Sequence, residues 1–326
     1  MKTFSSINLS ELPFPDVIET IEYEDILGTL KAELIALSPD SASVLELESE
    51  PLTKLLELAA YREVTLRQRV NDAARAVLLA FAETSDLDQI AAGYNVSRQL
   101  LVPGDPNAFP PIDAVYENDN DLRRRTQLAP EAFTTAGSEG SYIFNTLSAG
   151  ETPTGVTITA PEPGKVVLTY TFPGESFSAK VKHASAISPN PGEVLVSVLS
   201  RDGDGTTDAP TLLAVTDHLS GDYVRPLTDQ LTVQTADIVE YEVTAILHLY
   251  DGPDLDLVKA EAEKRFWIYA GERHALGEIV TQSGIDAALH LAGVQKVELT
   301  GWADIVTTAE QAPFCTALNI TTAVAS

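Results

Sequence analysis

The sequence predicts an α+β chain with three parts: a helical N-terminal part, a central antiparallel β meander and a C-terminal two-layer α+β domain. Over the first hundred or so residues apolar side chains recur near every 3.6 positions. Between about 155 and 200 the period falls to two, with Pro and Gly clusters between the runs. Beyond 230 strand-like and helix-like stretches alternate. The expected boundaries are 1–105 for a helical N-terminal domain, 106–150 for a helical connector, 151–229 for a β-rich middle domain and 230–326 for the C-terminal α+β domain.

In 15–37 the apolar positions Val17, Ile21, Ile26, Leu30, Leu34 and Leu37 mark one amphipathic helix, ended by "SPDS". A second helix is expected over 49–83. Pro51 lies just inside its start, Gly and Pro are otherwise missing from it, and Leu52, Leu56, Leu66, Val70 and Val77 run along one side. Its 33 or so residues would span roughly 50 Å at about 1.5 Å each, a length suited to packing against a second copy or a neighbour as well as against its own domain. "TSDLDQIAAG" gives a short third helix with Leu87, Ile90 and Ala91 inward, and Pro103, Gly104 and Pro106 mark a loop.

"VTITA", "KVVLTYTF", "SAKVKHASAI" and "EVLVSVLS" read as the meander. The similar entries "PEPGKVVLTY" and "PNPGEVLVSV" are a repeated hairpin device. A helix starts near Pro210. The last part reads as strands "LTVQTAD" and "VEYEVTAILHLY", helices over 254–269 and 285–292, and strands "VQKVELT" and "CTALNITTAV".

With 48 acidic residues against 21 Lys and Arg, and a net charge of -27, the surface as a whole repels nucleic acid and anionic lipid. The N-terminus shows no signal peptide and no apolar run reaches membrane-spanning length, so the expectation is a protein made in a cytosol. The one cysteine, Cys315, excludes an internal disulfide and a Cys-cluster zinc site, and reads as buried filler.

Enzyme chemistry finds no footing. Asp202, Asp204 and Asp208 resemble a calcium loop only faintly, because Thr207 and Leu213 stand where the loop needs Gly and Glu. A turn before a helix explains them better. The five histidines are at least sixteen residues apart, and neither a phosphate-binding Gly loop nor a nucleophile elbow is present. No catalytic, cofactor or metal residues are therefore assigned. The triplet Arg123, Arg124 and Arg125 in "ENDNDLRRRTQLAP" fans out by about 100° per residue on a helix, so it cannot address one phosphate groove. Asp119 with Arg123 and Asp121 with Arg125 are expected as i, i+4 pairs, which leaves Arg124 to meet an acidic partner surface.

Several motifs in order resemble the baseplate J-like family of contractile phage tails and related injection machines. They are "RVNDAARAVLLAFAETSDLDQIAAGYNVSR", "DLRRRTQLAPEAFTTAGSEGSYIF", "SPNPGEVLVSVLSRDGDG", "VRPLTDQLTVQTADIVEYEV", "ALHLAGVQKVELTGWADI" and "QAPFCTALNIT". The resemblance implies a non-catalytic wedge protein of the virion tail baseplate, without cofactor, assembled in the bacterial host cytoplasm. It also implies helical contacts to a second copy and to a smaller wedge protein of the tail protein I type, and contacts between neighbouring wedges that close a ring around the hub and spike, near the sheath-initiating proteins. On that reading Leu56, Leu66 and Val70 are candidate contact residues and Arg124 a further one. A tailocin would use the same part. A receptor- or carbohydrate-binding tail module is the alternative, motivated by the β meander with Tyr170 and Tyr223.

Overall fold

The computed structural model describes residues 7–9, 12–134, 137–149, 155–162, 165–171, 177–221, 224–250 and 255–324. They form two compact units, Ile7–Ser97 and Arg98–Ser326.

In the first unit, α1 (Tyr23–Leu37), α2 (Pro51–Ala76) and α3 (Thr84–Gly93) are all helices expected from the apolar period, but two are shorter than predicted. α1 starts at Tyr23 instead of 15 because the preceding backbone is claimed by α2. The buried Asn71 accepts from the Glu19 N–H at 3.1 Å and donates from Nδ2 to the Glu19 carbonyl at 2.8 Å. α2 stops at Ala76 instead of 83 because the chain turns back there. Phe81 then stacks on Phe14 with centroids 4.8 Å apart, and the Arg75 guanidinium lies 5.2 Å from the Phe14 ring centre. Twenty-six helical residues give a rod of about 39 Å. The side of α2 facing its own unit carries Thr53, Ala60 and Asn71, all buried, while α3 buries Leu87 and Ala91.

The second unit opens with a short antiparallel pair, β1 (Leu100–Val102) and β2 (Val115–Tyr116). α4 (Asp119–Leu128) follows, capped by Asn118, whose Oδ1 accepts from the Asp121 N–H at 2.9 Å. α5 (Glu139–Leu147) is capped likewise by Ser138. The middle is not one antiparallel meander. β3 (Gly155–Glu162) and β4 (Lys165–Thr171) form a separate hairpin. After a single turn of helix, α6 (Phe177–Lys180), β5 (Val181–Ile187) pairs antiparallel with β6 (Glu193–Ser200). The chain then crosses over through α7 (Ala209–Leu219) to lay β7 (Gln230–Thr235) parallel to β6. A parallel neighbour requires such a helical crossover, and Asp208 with Pro210 starts it: the Asp208 carboxylate accepts from the Thr211 N–H at 2.9 Å. β7, expected with the C-terminal domain, thus belongs to the middle sheet. Its core unites Tyr142, Ile143 and Leu147 of α5 with Ala184 and Ala186 of β5, Val196 and Val198 of β6, and Val215 and Leu219 of α7. The two alanines on β5 leave room for the helix.

The rest is the expected two-layer α+β arrangement. β8 (Asp237–Leu249) is followed by α8 (Leu255–Arg273), β9 (Ile279–Val280), α9 (Gln282–Leu289), β10 (Val294–Leu299), β11 (Ile305–Val306) and β12 (Gln311–Val324). The sheet order is β10-β8-β12, with β12 parallel to β8, while β9 and β11 form a small separate pair. Tyr241, Val243, Ala245, Leu247 and Leu249 alternate inward along β8. They meet Val258, Ala262, Phe266 and Ala270, spaced by four along α8. Cys315 lies in this core, its thiol pushed up to about 11 by burial.

Candidate assembly surfaces

The side of α2 that bears Leu52, Leu56, Ala59, Glu63, Leu66, Val70, Ala73 and Val77 has the alternating four-three spacing of a helix seam, about 100° round from Thr53, Ala60 and Asn71. The three predicted contact residues share this seam but not one environment. Leu56 is half-buried within its own unit, whereas Leu66 and Val70 are 64% and 60% exposed, and Val77 beyond them 73%. Leu55, Leu58 and Tyr61 are exposed beside it. They were missed because they fall outside a single stripe, although the signal was there: a helix apolar over this much of its circumference has more than one face to cover.

The arginine triplet fans out to three places, only partly as expected. Arg125 does not pair with Asp121. Its Nη1 reaches the carboxylate of Glu117 at 2.8 Å, with both side chains buried, and the Gln99 N–H donates to the same oxygen at 3.2 Å. Burial pushes the Glu117 carboxyl above its usual range and the Arg125 charge opposes this. Asp121 pairs with Arg201 at 2.5 Å; Asp119 pairs with Arg98 at 2.7 Å, and Arg123 also donates to Asn120.

Arg124 does not lie on an open surface. It points into a cleft of about 540 Å³ lined also by Lys182, His183 and Arg201 from the middle sheet and its loop, and by Trp267, Ile268, Glu272 and His274 from α8 and its end. Burial lowers Arg124 to about 10, against the pull of Asp121 and Glu278. It also lowers Lys182. His183 lies well below the imidazole range, chiefly through burial and then through Arg124 and Lys182. His274 falls to about 4, again first through burial and then through Lys182. Its Nε2 lies 3.0 Å from the Asp204 carbonyl and its Nδ1 3.2 Å from Lys182 Nζ, which fixes the neutral tautomer with the proton on Nε2. Gly205, at φ +98, permits this approach, since a Cβ there would lie 2.8 Å from His274 Nε2. The residues that join Arg124 come from β5, the end of β6 and α8 with its end, all distant in sequence, so no local spacing announced the cluster.

Two quoted motifs interlock directly. Tyr142 of "SEGSYIF" donates its hydroxyl to Asp229 of "RPLTD" at 2.9 Å, and its pKa is raised by burial and by that carboxylate. Gly137, at φ +64, packs so closely that a Cβ would lie 2.6 Å from Pro226 Cγ. The acidic loop is a turn: Asp204 accepts from the Thr206 N–H and Asp208 caps α7. Among the described residues no group of three His, Cys, Asp or Glu could hold a metal ion, and no helix is long and apolar enough to cross a membrane. Tyr223 and the side chain of Tyr170, which motivated the carbohydrate-binding alternative, lie outside the described residues.

Comparisons with known proteins bear on what these surfaces serve. Residues 48–105, which include all of α2, match the baseplate J-like N-terminal domain. The whole chain is similar to Baseplate protein J of Escherichia phage P2, with 43% identity over 322 residues, 97% of this chain and 97% of that protein. Identity at that level across nearly the full length of both proteins shows that the chain belongs to the baseplate J family, a family of tail-baseplate structural proteins and not of enzymes.

Proposed function

We propose that the chain is a wedge component of its tail baseplate and acts by assembly alone. The observation that carries this is 43% identity to a phage baseplate protein, spread over 97% of both chains. As a family member the chain is a structural part of the virion tail baseplate. Within that role, the exposed half of the α2 seam, around Leu66 and Val70, receives a helix from a second copy or from a smaller wedge protein. The C-terminal α+β part makes the contacts that close neighbouring wedges into a ring around the hub and spike.

Two features support this division. The seam repeats over more than three turns with apolar residues left exposed, which is costly in water unless a partner covers them. The C-terminal part has a hydrophobic core of its own and can present a rigid contact surface. Ring contacts can be individually weak, because closure makes the last of them intramolecular.

A mass-spectrometric inventory of purified tails tests the role: the chain is expected in stoichiometric copies, and its absence contradicts the reading. Truncation after Ala236, which retains β7, tests the division. Expressed with its wedge partners, the shortened chain should give wedge complexes without rings by electron microscopy. Closed rings would contradict the ring-closing assignment.

A further inference from the structure

The cleft beside Arg124 holds two cations, Arg124 and Lys182, that none of its carboxylates pairs with directly. Arg201 is matched by Asp121, and Asp119 by Arg98. Arg124 has no carboxylate within ion-pair distance among the described residues. Lys182 donates only to neutral acceptors, the Gly271 carbonyl at 3.1 Å and His274 Nδ1 at 3.2 Å. His183 is only 9% exposed and its Nδ1 has no hydrogen-bond partner. Glu272 is the one further acid on the lining, and it is exposed at the rim. A desolvated guanidinium and ammonium, answered only by the longer-range pull of Asp121 on both and of Glu278 on Arg124, are expensive, and a buried imidazole nitrogen without a partner adds to that cost. Arg124 and Lys182, both partly accessible from the cleft, are relieved by one anionic group entering from the open side.

We propose that this cleft, between α4, β5 and the end of α8, is the acceptor site for an acidic side chain, Asp or Glu, carried on a partner protein chain of the baseplate. The carboxylate takes Arg124 and Lys182, and the residues beside it cover Trp267 and Ile268, which are half-exposed on the same wall. That apolar wall favours a polypeptide over a free ion, which would leave it uncovered. Charge argues in the same direction. A chain of net charge -27 repels nucleic acid and free polyanions at long range, whereas a carboxylate on a partner is delivered by the other contacts of the assembly. The site rests on the baseplate role for its partner but on the cleft alone for its chemistry.

The test is zero-length carbodiimide cross-linking of intact purified tails, which joins a lysine only to a carboxylate in direct contact, followed by peptide mapping. The expected product links Lys182 to an Asp or Glu of another chain. Tails carrying Lys182→Gln lose that product and dissociate at a several-fold lower salt concentration, while the isolated variant keeps the circular-dichroism spectrum of the parent. Linkage of Lys182 only to Glu272 or Asp121 of its own chain, or none while Lys54 and Lys296 link to other chains, overturns the site and leaves the baseplate role standing. Absence of the chain from the tails overturns both. If 10 mM inorganic phosphate instead raises the Tm of the isolated protein by several degrees at matched ionic strength, and Lys182→Gln abolishes the rise without any cross-chain link in tails, the occupant is a free oxyanion and the protein partner is excluded.

Discussion

The two long helices are covered in opposite ways. α8 inserts Val258, Ala262, Phe266 and Ala270 into a sheet whose alternate residues meet them, so its apolar face is complete within the chain. α2 turns small or polar groups toward its own unit, Thr53, Ala60 and Asn71, and leaves Leu66 and Val70, with Val77 just past its end, in water. Covering one such side chain fully is worth about 1.5–3 kcal/mol, a gain that α8 makes within the chain and that, on the proposed role, the α2 seam makes only against a partner. Substitutions on α8 should therefore be read in stability and substitutions on the α2 seam in assembly.

The largest effect expected is in the C-terminal core. Phe266→Ala removes a fully buried ring and should cost about 3–5 kcal/mol in urea unfolding of the isolated protein. A loss under about 1 kcal/mol would show that α8 is not the anchor that the comparison makes it. Of similar size is Arg125→Met, which leaves Glu117 buried without its partner, at about 3–5 kcal/mol. The pH dependence gives the sign. The folded carboxyl of Glu117 already lies above its unfolded value, so the native state binds more protons between the two. Its contribution to stability therefore falls as pH rises through that window and is largest below it. Without Arg125 the window widens upward, and the deficit of the variant should shrink as pH falls from 7 toward 5. A deficit independent of pH would separate the pair from the effect.

Those two regions also show what was readable in the sequence. The strict alternation from Tyr241 to Leu249 and the four-residue spacing on α8 are intrinsic to the chain, and the two-layer C-terminal part followed from them. The parallel pairing of β7 with β6 did not, because period two gives a strand and its faces but not its neighbour. The end of α2 was missed for a similar reason. Nothing in 77–83 breaks a helix, and the break comes from Phe14, more than sixty residues earlier, stacking on Phe81. Arg125 was given the wrong carboxylate because helix spacing favours Asp121, whereas the buried Glu117 offered a desolvated and therefore stronger pairing. Of the cleft, Arg124 was legible as the residue left without a local partner. Lys182, His183 and His274 were not, since only the fold brings them together.

A smaller effect is expected at the clamp in the first unit. Asn71→Ala removes both hydrogen bonds to the Glu19 backbone and should cost about 1–3 kcal/mol, with faster hydrogen exchange at Glu19. Unchanged exchange there would detach the late start of α1 from Asn71. Smaller again is the effect of His274, one of the two histidines of the cleft. His274 titrates near 4 when folded, below the usual 6.5, so the unfolded chain binds the extra proton first, and stability drains as pH falls between those values. His274→Gln keeps a donor and an acceptor but cannot titrate, so the Tm drop from pH 7 to pH 5 should be smaller in the variant than in the parent. An identical drop in both would remove His274 from the acid response.

The smallest effect on stability, and the largest on assembly, is expected at Leu66. Leu66→Asp in the full chain should unfold within about 0.5 kcal/mol of the parent, because the side chain is 64% exposed, and should leave the circular-dichroism spectrum intact. Mixed with its wedge partners, the same folded protein should form no wedge complex by size-exclusion chromatography with light scattering. That pairing of a parental melting curve with absent assembly is the result the account predicts. A variant that unfolds, or a folded variant that still enters wedges at the parental level, would contradict the assignment of the α2 seam to contacts outside the chain.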